Sequence, residues 1–427
     1  MNDSIKISRD ERQEICLQNW FKNKGKGIII CPTGFGKTRV ATNMIGRLLN
    51  KYQNLKFIVI VPTTVLKDQW TEILDKLGYG LNCDVIVINT AIRNNYKCDV
   101  LVIDECHRIP SATFREIFNT IQYKYIMCLT ATLERLDGLE SVVLEHCPVV
   151  DKVTLLEAEI NGWISPYKEY QVMIEVPDIE KYKEMNKKFI YYFGYFNFDF
   201  NLAMKCFGKG GFMFRKKLAE KLIIEQHPEL RKKLVSEKLK EITAYAMAFM
   251  KTVQERKTFI NNHPKKIEIA QKIINARKGK KIITFSNNIK MASKIGIGEV
   301  YSGRDTKKHG KQVMEDFKEN KFKILNTIRK ADEGADIPEL SVAIILGLDS
   351  SSIKSVQRRG RCIRFEEGKQ AEIFNIVINQ TVETKWFEKS HSEGNIILID
   401  EEGLNDVLKG KEPKPFNKPL KKIQFRF

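Results

Sequence analysis

The chain has 427 residues, 43% of them hydrophobic, and a formal net charge of +19 from 72 Lys and Arg against 53 Asp and Glu. That length allows two or three domains with ordinary cores, while no run approaches the ~18 apolar residues of a membrane span and the polar opening MNDSIKISRDERQEI has no signal-peptide character. A soluble, intracellular protein without a membrane partner is expected. Nine cysteines with neither a CxxC pair nor a Cys/His cluster argue against zinc and for a reducing compartment. The excess positive charge points to a polyanion as partner, nucleic acid first, unless it is only a lysine-rich surface.

Lys26 to Cys31, KGIIIC, is a short apolar β-branched run, followed by PTGFGKT and then a helical pattern through Leu49. Strand, glycine loop and helix in that order form a phosphate-binding arrangement: Pro32, Thr33, Gly34, Phe35 and Gly36 turn backbone N–H groups toward an anion, and the helix presents its positive N-terminus. Lys37 is expected on the β- and γ-phosphates of a nucleotide and Thr38 on Mg²⁺, although Cys31 stands where the strict pattern has glycine. IVIVPTTVLKDQ and VIVINT each read as a strand followed by small polar residues, and Pro62, Thr63, Asn89 and Thr90 are candidates for a nucleic-acid backbone. Leu66, Trp70, Ile73, Leu74 and Leu77 have the spacing of a helix core face. The buried-strand run Val100 to Ile103 ends in Asp104-Glu105-Cys106-His107, with Asp104 expected to hold Mg²⁺ through water and Glu105 to orient and deprotonate the attacking water. Without the upstream loop, the same residues would read as an acidic turn capping a helix.

Between Asp178 and Lys266 such motifs stop, and 20 Lys plus Arg stand against 10 Asp plus Glu. An aromatic-rich first part, Phe189 to Phe200, precedes one or two basic helices marked by Arg215, Lys216 and Lys217. The segment reads either as a helical insertion that grips nucleic acid through lysines and stacked aromatics or as a helical subdomain whose aromatics are mostly core.

KKIITFSN at Lys280 to Asn287 opens a second strand–helix alternation, with strands expected at Glu299 to Tyr301, Lys323 to Thr327, Val342 to Leu346 and Ala371 to Ile378. This is a second parallel sheet without a phosphate loop of its own, expected to lend residues to the first. QRRGRCIR, Gln357 to Arg364, carries Arg361 and Arg364, planar permanent cations suited to charge spreading over a transferring phosphoryl group. The tail from Lys409 is basic and proline-containing, either an arm on nucleic acid or a strap packed through Phe416, Ile423, Phe425 and Phe427.

Together RQEICLQNW, CPTGFGKT, VPTTVLKDQW, DECH and LTATLERLDG resemble the first motor domain of superfamily II helicases and translocases; ATLERLDG and GWISPY resemble the XPB and phage UvsW branch. The resemblance implies an α/β fold of two tandem RecA-like parallel-sheet domains: 1–168, then a thumb-like helical insertion over 169–265, a second RecA-like domain over 266–408 and a basic tail over 409–427. It implies that Gln13 with Arg12 reads adenine, so that ATP with Mg²⁺ is the ligand. It further implies that Gly334 and Asp336 of EGADIP touch nucleotide, that Gln357, Arg361 and Arg364 form the sixth motif, and that Arg135, Ser286 and Thr327 meet the nucleic acid. The expected activity is that of an ATP-driven DNA helicase or translocase on forked or branched DNA, acting as a monomer, with an RNA helicase or a non-unwinding ATP-gated clamp as alternatives. The small size resembles a stand-alone motor of phage or similar origin.

Overall fold

A computed structural model describes residues 6–109, 114–133, 140–208, 210–226, 231–301, 307–328, 337–348, 360–390, 396–414 and 416. Helix α1 (Arg9–Lys22) opens on a reciprocal capping box between Ser8 and Glu11, the N-terminal signature S-x-x-E. It leads into β1 (Lys26–Ile30), α2 (Lys37–Lys51), β2 (Phe57–Val61), α3 (Thr64–Lys76), β3 (Cys83–Val87), α4 (Ile88–Ala91), β4 (Tyr96–Lys97) and β5 (Val100–Asp104). Short helix α5 (Ile117–Thr120), β6 (Ile121–Gln122), β7 (Tyr125–Thr130), α6 (Ser141–Leu144), β8 (Val149–Lys152) and α7 (Leu155–Ile160) complete the first unit.

The first sheet runs β3-β2-β5-β7-β1-β8, and its pairs are parallel. FIVIV and VLVID are buried along their whole length, because a parallel sheet covered on both faces buries both sides of its central strands. Parallel direction also puts the loops after β1, β2, β3, β5 and β7 on one edge, where the carboxyl ends of the strands open a crevice.

The second sheet is β11-β12-β10-β13-β14-β9-β15, from β9 (Tyr167–Ile174), β10 (Lys281–Ser286), β11 (Glu299–Tyr301), β12 (Ile324–Ile328), β13 (Leu340–Ile345), β14 (Ala371–Ile378) and β15 (Ile396–Ile399). Strand β9 pairs with β14 over all eight residues, Tyr167↔Ala371 to Ile174↔Ile378. The chain therefore enters the second sheet at Tyr167, and a boundary at 168/169 cuts through a strand. YKEYQVMI alternates enough to pass for a domain edge, and its partner lies some two hundred residues away.

The helical insertion runs from α8 (Ile179–Gly194) through α9 (Phe200–Cys206) and α10 (Gly211–Gln226) to the 32-residue α11 (Arg231–Asn262). Its own core gathers Phe196, Cys206, Ile242 and Phe249, with Phe189, Tyr192, Phe193 and Tyr195 partly buried against them. Tyr191, Phe198 and Phe200 stay exposed. The aromatic stretch thus divides between core and surface. Helix α12 (Pro264–Ala276) follows at once, with His263 as its N-cap and proline at its start. Helices α13 (Ile289–Lys294) and α14 (Lys307–Lys318) then alternate with β10, β11 and β12. Phe416 packs on the main core, which fits the strap reading at that residue; Ile423, Phe425 and Phe427 lie outside the described residues.

At the root of the insertion, Lys266 donates to Glu383 at 2.5 Å and to the Leu346 carbonyl at 2.8 Å, and both charged side chains are 0% exposed. Glu383 also accepts the Ile378 N–H. Burial drives Lys266 down and Glu383 up from their ordinary values, so each charge persists only through its partner. Lys266→Met is expected to cost about 3–5 kcal/mol in equilibrium unfolding, because it leaves a carboxylate buried and unpaired, whereas Lys266→Met with Glu383→Leu recovers most of that loss. Equal instability of the single and double variants would contradict the assignment.

Candidate active site

The loop after β1 carries Gly34 and Gly36 in the left-handed region, φ 95° and 101°, conformations open to glycine without steric cost. Gly36 is the N-cap of α2 and makes no side-chain cap, so the first N–H groups of this 15-residue helix are left for an anion. Lys37 begins the helix and Thr38 follows.

Across the crevice, Asp104 ends β5. Trp70 of α3 donates its indole N–H to Asp104 Oδ2 at 3.0 Å, and the Glu105 N–H donates to Oδ1 at 3.0 Å. Glu105 itself has φ 53°, a region that costs a non-glycine residue about 1–3 kcal/mol and recurs at active sites. Its Oε1 lies 3.7 Å from Lys37 Nζ and its Oε2 3.3 Å from His107 Nδ1. His107 Nδ1 is also 3.1 Å from Thr130 Oγ1, whose proton is donated to the Thr132 carbonyl at 2.7 Å. The threonine oxygen is thus an acceptor, which assigns the proton to Nδ1.

Electrostatics separate the two carboxyls. Burial, with Glu105 beside it, pushes Asp104 up to about 6. Burial also opposes charge on Glu105, but Lys37 and then His107 outweigh it and hold that group low. Lys37 is disfavoured by burial yet raised overall by Glu105, Cys31 and Asp104. One carboxylate held ionised by its neighbours, one carboxylate whose charge burial disfavours and one ammonium thus share the crevice. With the Thr38 hydroxyl on the same cavity, the two carboxylates are hard oxygen donors suited to Mg²⁺.

The second sheet supplies the opposite wall. Gly360 lies so close that an added Cβ would overlap the Thr33 side chain, and Arg364 Cα lies 3.5 Å from where a Gly34 Cβ would be. Arg361 is 5% exposed. A strap from the first unit fixes this segment: Ile164 pairs with Arg364 in antiparallel sense, and the Ser165 N–H donates to the Ile363 carbonyl at 2.9 Å. The cleft between the two walls, ≈ 470 Å³, is lined by Thr33, Gly34, Gly36, Lys37 and Thr38 on one side and Arg361 and Arg364 on the other, with Asp104 and Glu105 beside them. That volume lies within the range of ligand pockets.

Several expected residues fall elsewhere. Arg12 is committed to Asp151, through two contacts at 2.8 Å, and to Glu157 at 2.6 Å, so its guanidinium is not offered to a base. Gln13 is 1% exposed and donates to the Phe35 carbonyl at 2.7 Å; it braces the loop from behind. Pro32 is buried, and the Phe35 ring packs on Trp163 at 5.4 Å, because an apolar side chain in a phosphate loop can only turn into the core. Thr63 caps α3 by accepting the Leu66 N–H. Pro62 lines the cavity, while Asn89 and Thr90 are exposed on the same edge. Ser286 is buried, and Thr327 donates its hydroxyl to the Thr284 carbonyl inside the sheet, so neither side chain reaches an outer strand here. Arg215 ties α10 to the Cys206 carbonyl, leaving Lys216 and Lys217 exposed. Arg135, Gly334, Asp336 and Gln357 lie outside the described residues. Arg9, Gln69, Arg108 and Phe365 line the cavity without having been expected there; only the proximity of Arg9 to Gln13 and of Phe365 to Arg364 could have marked any of them.

Residues 265–366 match the family model "Helicase conserved C-terminal domain", and residues 6–90 and 88–135 match "Type III restriction enzyme, res subunit". The "DNA 3'-5' translocase XPB2" of Sulfurisphaera tokodaii is 26% identical over 400 residues, covering 88% of this chain and 83% of that one. "Putative helicase 22" of a Sulfolobus islandicus filamentous virus is 23% identical, covering 89% of this chain and 65% of that one. Among solved structures, S. cerevisiae Dbp5 bound to RNA and ADP BeF3 superposes with TM-score 0.57 at 13% identity, over 93% of this chain and 91% of that one, a likeness of fold. Two parallel sheets with a phosphate loop on one and paired arginines on the other define an ATP-hydrolysing enzyme. The chain belongs to the superfamily II helicases, on the side related to XPB, and its two sheets are the RecA-like domains of that fold.

Two consequences can be measured. Because the folded-state value of Asp104 exceeds the ordinary aspartate value, its charge costs nothing below about pH 4 and its full amount above about pH 6. In EDTA, Asp104→Asn is therefore expected to raise stability to denaturant at pH 7.5 by on the order of 1–3 kcal/mol, with the gain fading toward pH 4.5; no gain at pH 7.5 would refute the buried-charge account. Gly360→Ala is expected to hold the two walls apart, lowering ATPase activity at least tenfold with the unfolding transition unchanged.

Proposed function

We propose that the chain is an ATP-dependent DNA translocase and helicase that moves on forked or branched DNA. One observation carries this reading: a single cavity is walled by the phosphate loop of the first sheet and by Arg361 and Arg364 of the second. In it Lys37 takes the β- and γ-phosphates, and the α2 N-terminus binds them through backbone N–H groups. Thr38 and Asp104 would hold Mg²⁺, which when bound offsets phosphate charge. Glu105, kept ionised by Lys37 and His107, orients the attacking water and accepts its proton. Arg361 and Arg364 stabilise charge on the departing phosphoryl group, and Gln357, Gly334 and Asp336 belong to the same machinery.

Hydrolysis removes what Arg361 and Arg364 bind, so the two walls part and the sheets shift against each other. Pro62, Thr63, Asn89 and Thr90, on the edge that holds the cavity, are the first unit's surface for the backbone, with Lys216 and Lys217 of the insertion as a separate grip. DNA is favoured because the relative aligned over most of both chains is named a DNA translocase.

Arg361→Ala is expected to lower ATP turnover by about 10³-fold while leaving ATP affinity within a few-fold; a variant with more than half the wild-type rate would remove Arg361 from the site. ATPase stimulation is expected to rank forked DNA above single-stranded DNA above RNA and to fall steeply between 50 and 200 mM salt, conditions typical for a phosphate-bound interface. Equal or greater stimulation by RNA would replace the DNA reading with an RNA one, and stimulated ATPase without displacement of a forked strand would leave a translocase or clamp.

A further inference from the structure

The apolar side chains that the helical insertion leaves outside are not scattered. Along α9, Phe200, Met204 and Phe207 stand at i, i+4 and i+7, the spacing of one helix face. All three are exposed, while Ala203 and Cys206 turn into the core. Phe207 closes the helix, its N–H donated to the Met204 carbonyl at 3.1 Å. The chain then turns at Gly208, φ 90°, and α10 starts against the end of α9. Arg215 donates to the Cys206 carbonyl, and a Cβ on Gly211 would lie only 2.9 Å from that oxygen and 3.0 Å from the Lys205 carbonyl. Phe212 and Met213 come next, 51% and 59% exposed, so the first turn of α10 continues the apolar face of α9.

Charge follows the same geometry. Residues 200–217 hold five Lys or Arg and no Asp or Glu. On α10, Lys216 stands one turn after Phe212, and Lys217 and Lys221 one and two turns after Met213, all three exposed. An apolar tip thus runs into a basic shaft. Neighbouring large apolar side chains are seldom left in water unless they form a contact surface, and the lysines select a partner that is anionic and yet has apolar faces. A nucleic acid with unstacked bases is such a partner. An intact duplex offers its grooves base edges, whereas a junction or single strand offers base faces to rings. We infer that Phe207, Phe212 and Met213 form a wedge that stacks on the first unpaired base of a forked nucleic acid, while Lys216, Lys217 and Lys221 hold the backbone of that strand. This rests on the reading of the chain as a nucleic-acid motor and adds the part that parts the strands. Among the described residues, none that lines the nucleotide cavity belongs to α9 or α10, so the wedge converts motion made elsewhere into opened base pairs.

The experiment compares wild type, Phe212→Ala with Met213→Ala, and Phe212→Trp on forked DNA. It reads base pairs opened per ATP hydrolysed, the salt dependence of binding, and photocrosslinking to 5-iododeoxyuridine at the first unpaired position. The double alanine variant is expected to open at least tenfold fewer base pairs per ATP, with its unfolding midpoint and the slope of log affinity against log salt as in wild type. Phe212→Trp keeps a stacking ring and should keep the wild-type yield, whereas Lys216→Ala with Lys217→Ala should lower the salt slope by about 2. The wild-type crosslink should map within residues 207–213. An unchanged yield per ATP in the double alanine variant overturns the wedge, as does a crosslink that maps elsewhere or a stimulated wild type that displaces no strand. An unchanged yield together with loss of a self-association that wild type shows in sedimentation gives the face to a second copy of the chain instead. A wild type whose ATPase neither DNA nor RNA stimulates removes the motor reading itself, an outcome distinct from the others.

Discussion

The contact on which the site depends is the approach of Gly360 to Thr33. Only a glycine lets the arginine-bearing segment reach the phosphate loop at this distance, and only at this distance do Arg361, Arg364 and Phe365 share a cavity with Lys37. Among the described residues, no strand pairing of either sheet includes Thr33 or Gly360. The contact is held by the strap of Ile164 and Ser165, which leaves the first unit, crosses the segment as an extra pairing, and becomes β9, between β14 and the edge strand β15 of the second sheet. The covalent connection between the two units is thus also the clamp on the catalytic wall, so relative motion of the sheets must pull on the backbone beside the arginines.

Within the cavity the charges are arranged against their own stability. Two adjacent carboxyls and one lysine are taken out of water together, and Glu105 sits in the left-handed backbone region that non-glycine residues seldom adopt. Such a set is costly without ligand, and the proposed nucleotide would relieve it: phosphate oxygens would satisfy Lys37 and the α2 N–H groups, and a divalent cation Asp104. Binding energy is therefore available for closing the walls. His107 extends the arrangement to Thr130, its Nδ1 lying 3.3 Å from Glu105 Oε2 and 3.1 Å from Thr130 Oγ1 at the end of β7.

Local pattern was sufficient for much of this. The β1–loop–α2 unit, the Asp104-Glu105 turn and the strands of the second sheet are contiguous in sequence, and their apolar runs have the period of the elements they form. The insertion was visible in its charge and aromatics. What was hidden depends on partners far along the chain. Arg12 looks like a ligand residue until Asp151 and Glu157 come to it, β9 looks like a linker until β14 pairs with it, and Phe365 looks like a residue after a motif until Ser165 fixes it. Thr327 and Ser286 fail for a related reason, since a hydroxyl at a strand's end reads alike whether it points into the sheet or toward a ligand.

Trp70 joins these levels. Its spacing assigns it to the core, and it is buried in α3, but the indole N–H is donated to Asp104. The N-terminus of α3 opens on the edge proposed for the nucleic-acid backbone, and Leu66 and Gln69 of the same helix face the nucleotide cavity. A helix of 13 residues that opens on that proposed surface at one end and donates from its middle to the carboxyl proposed to hold the metal cannot shift at the first without moving the second. The stimulation by nucleic acid proposed above would then need no long relay: displacement of one helix, transmitted through one indole, would alter where the Asp104 carboxyl stands relative to Thr38 and Glu105.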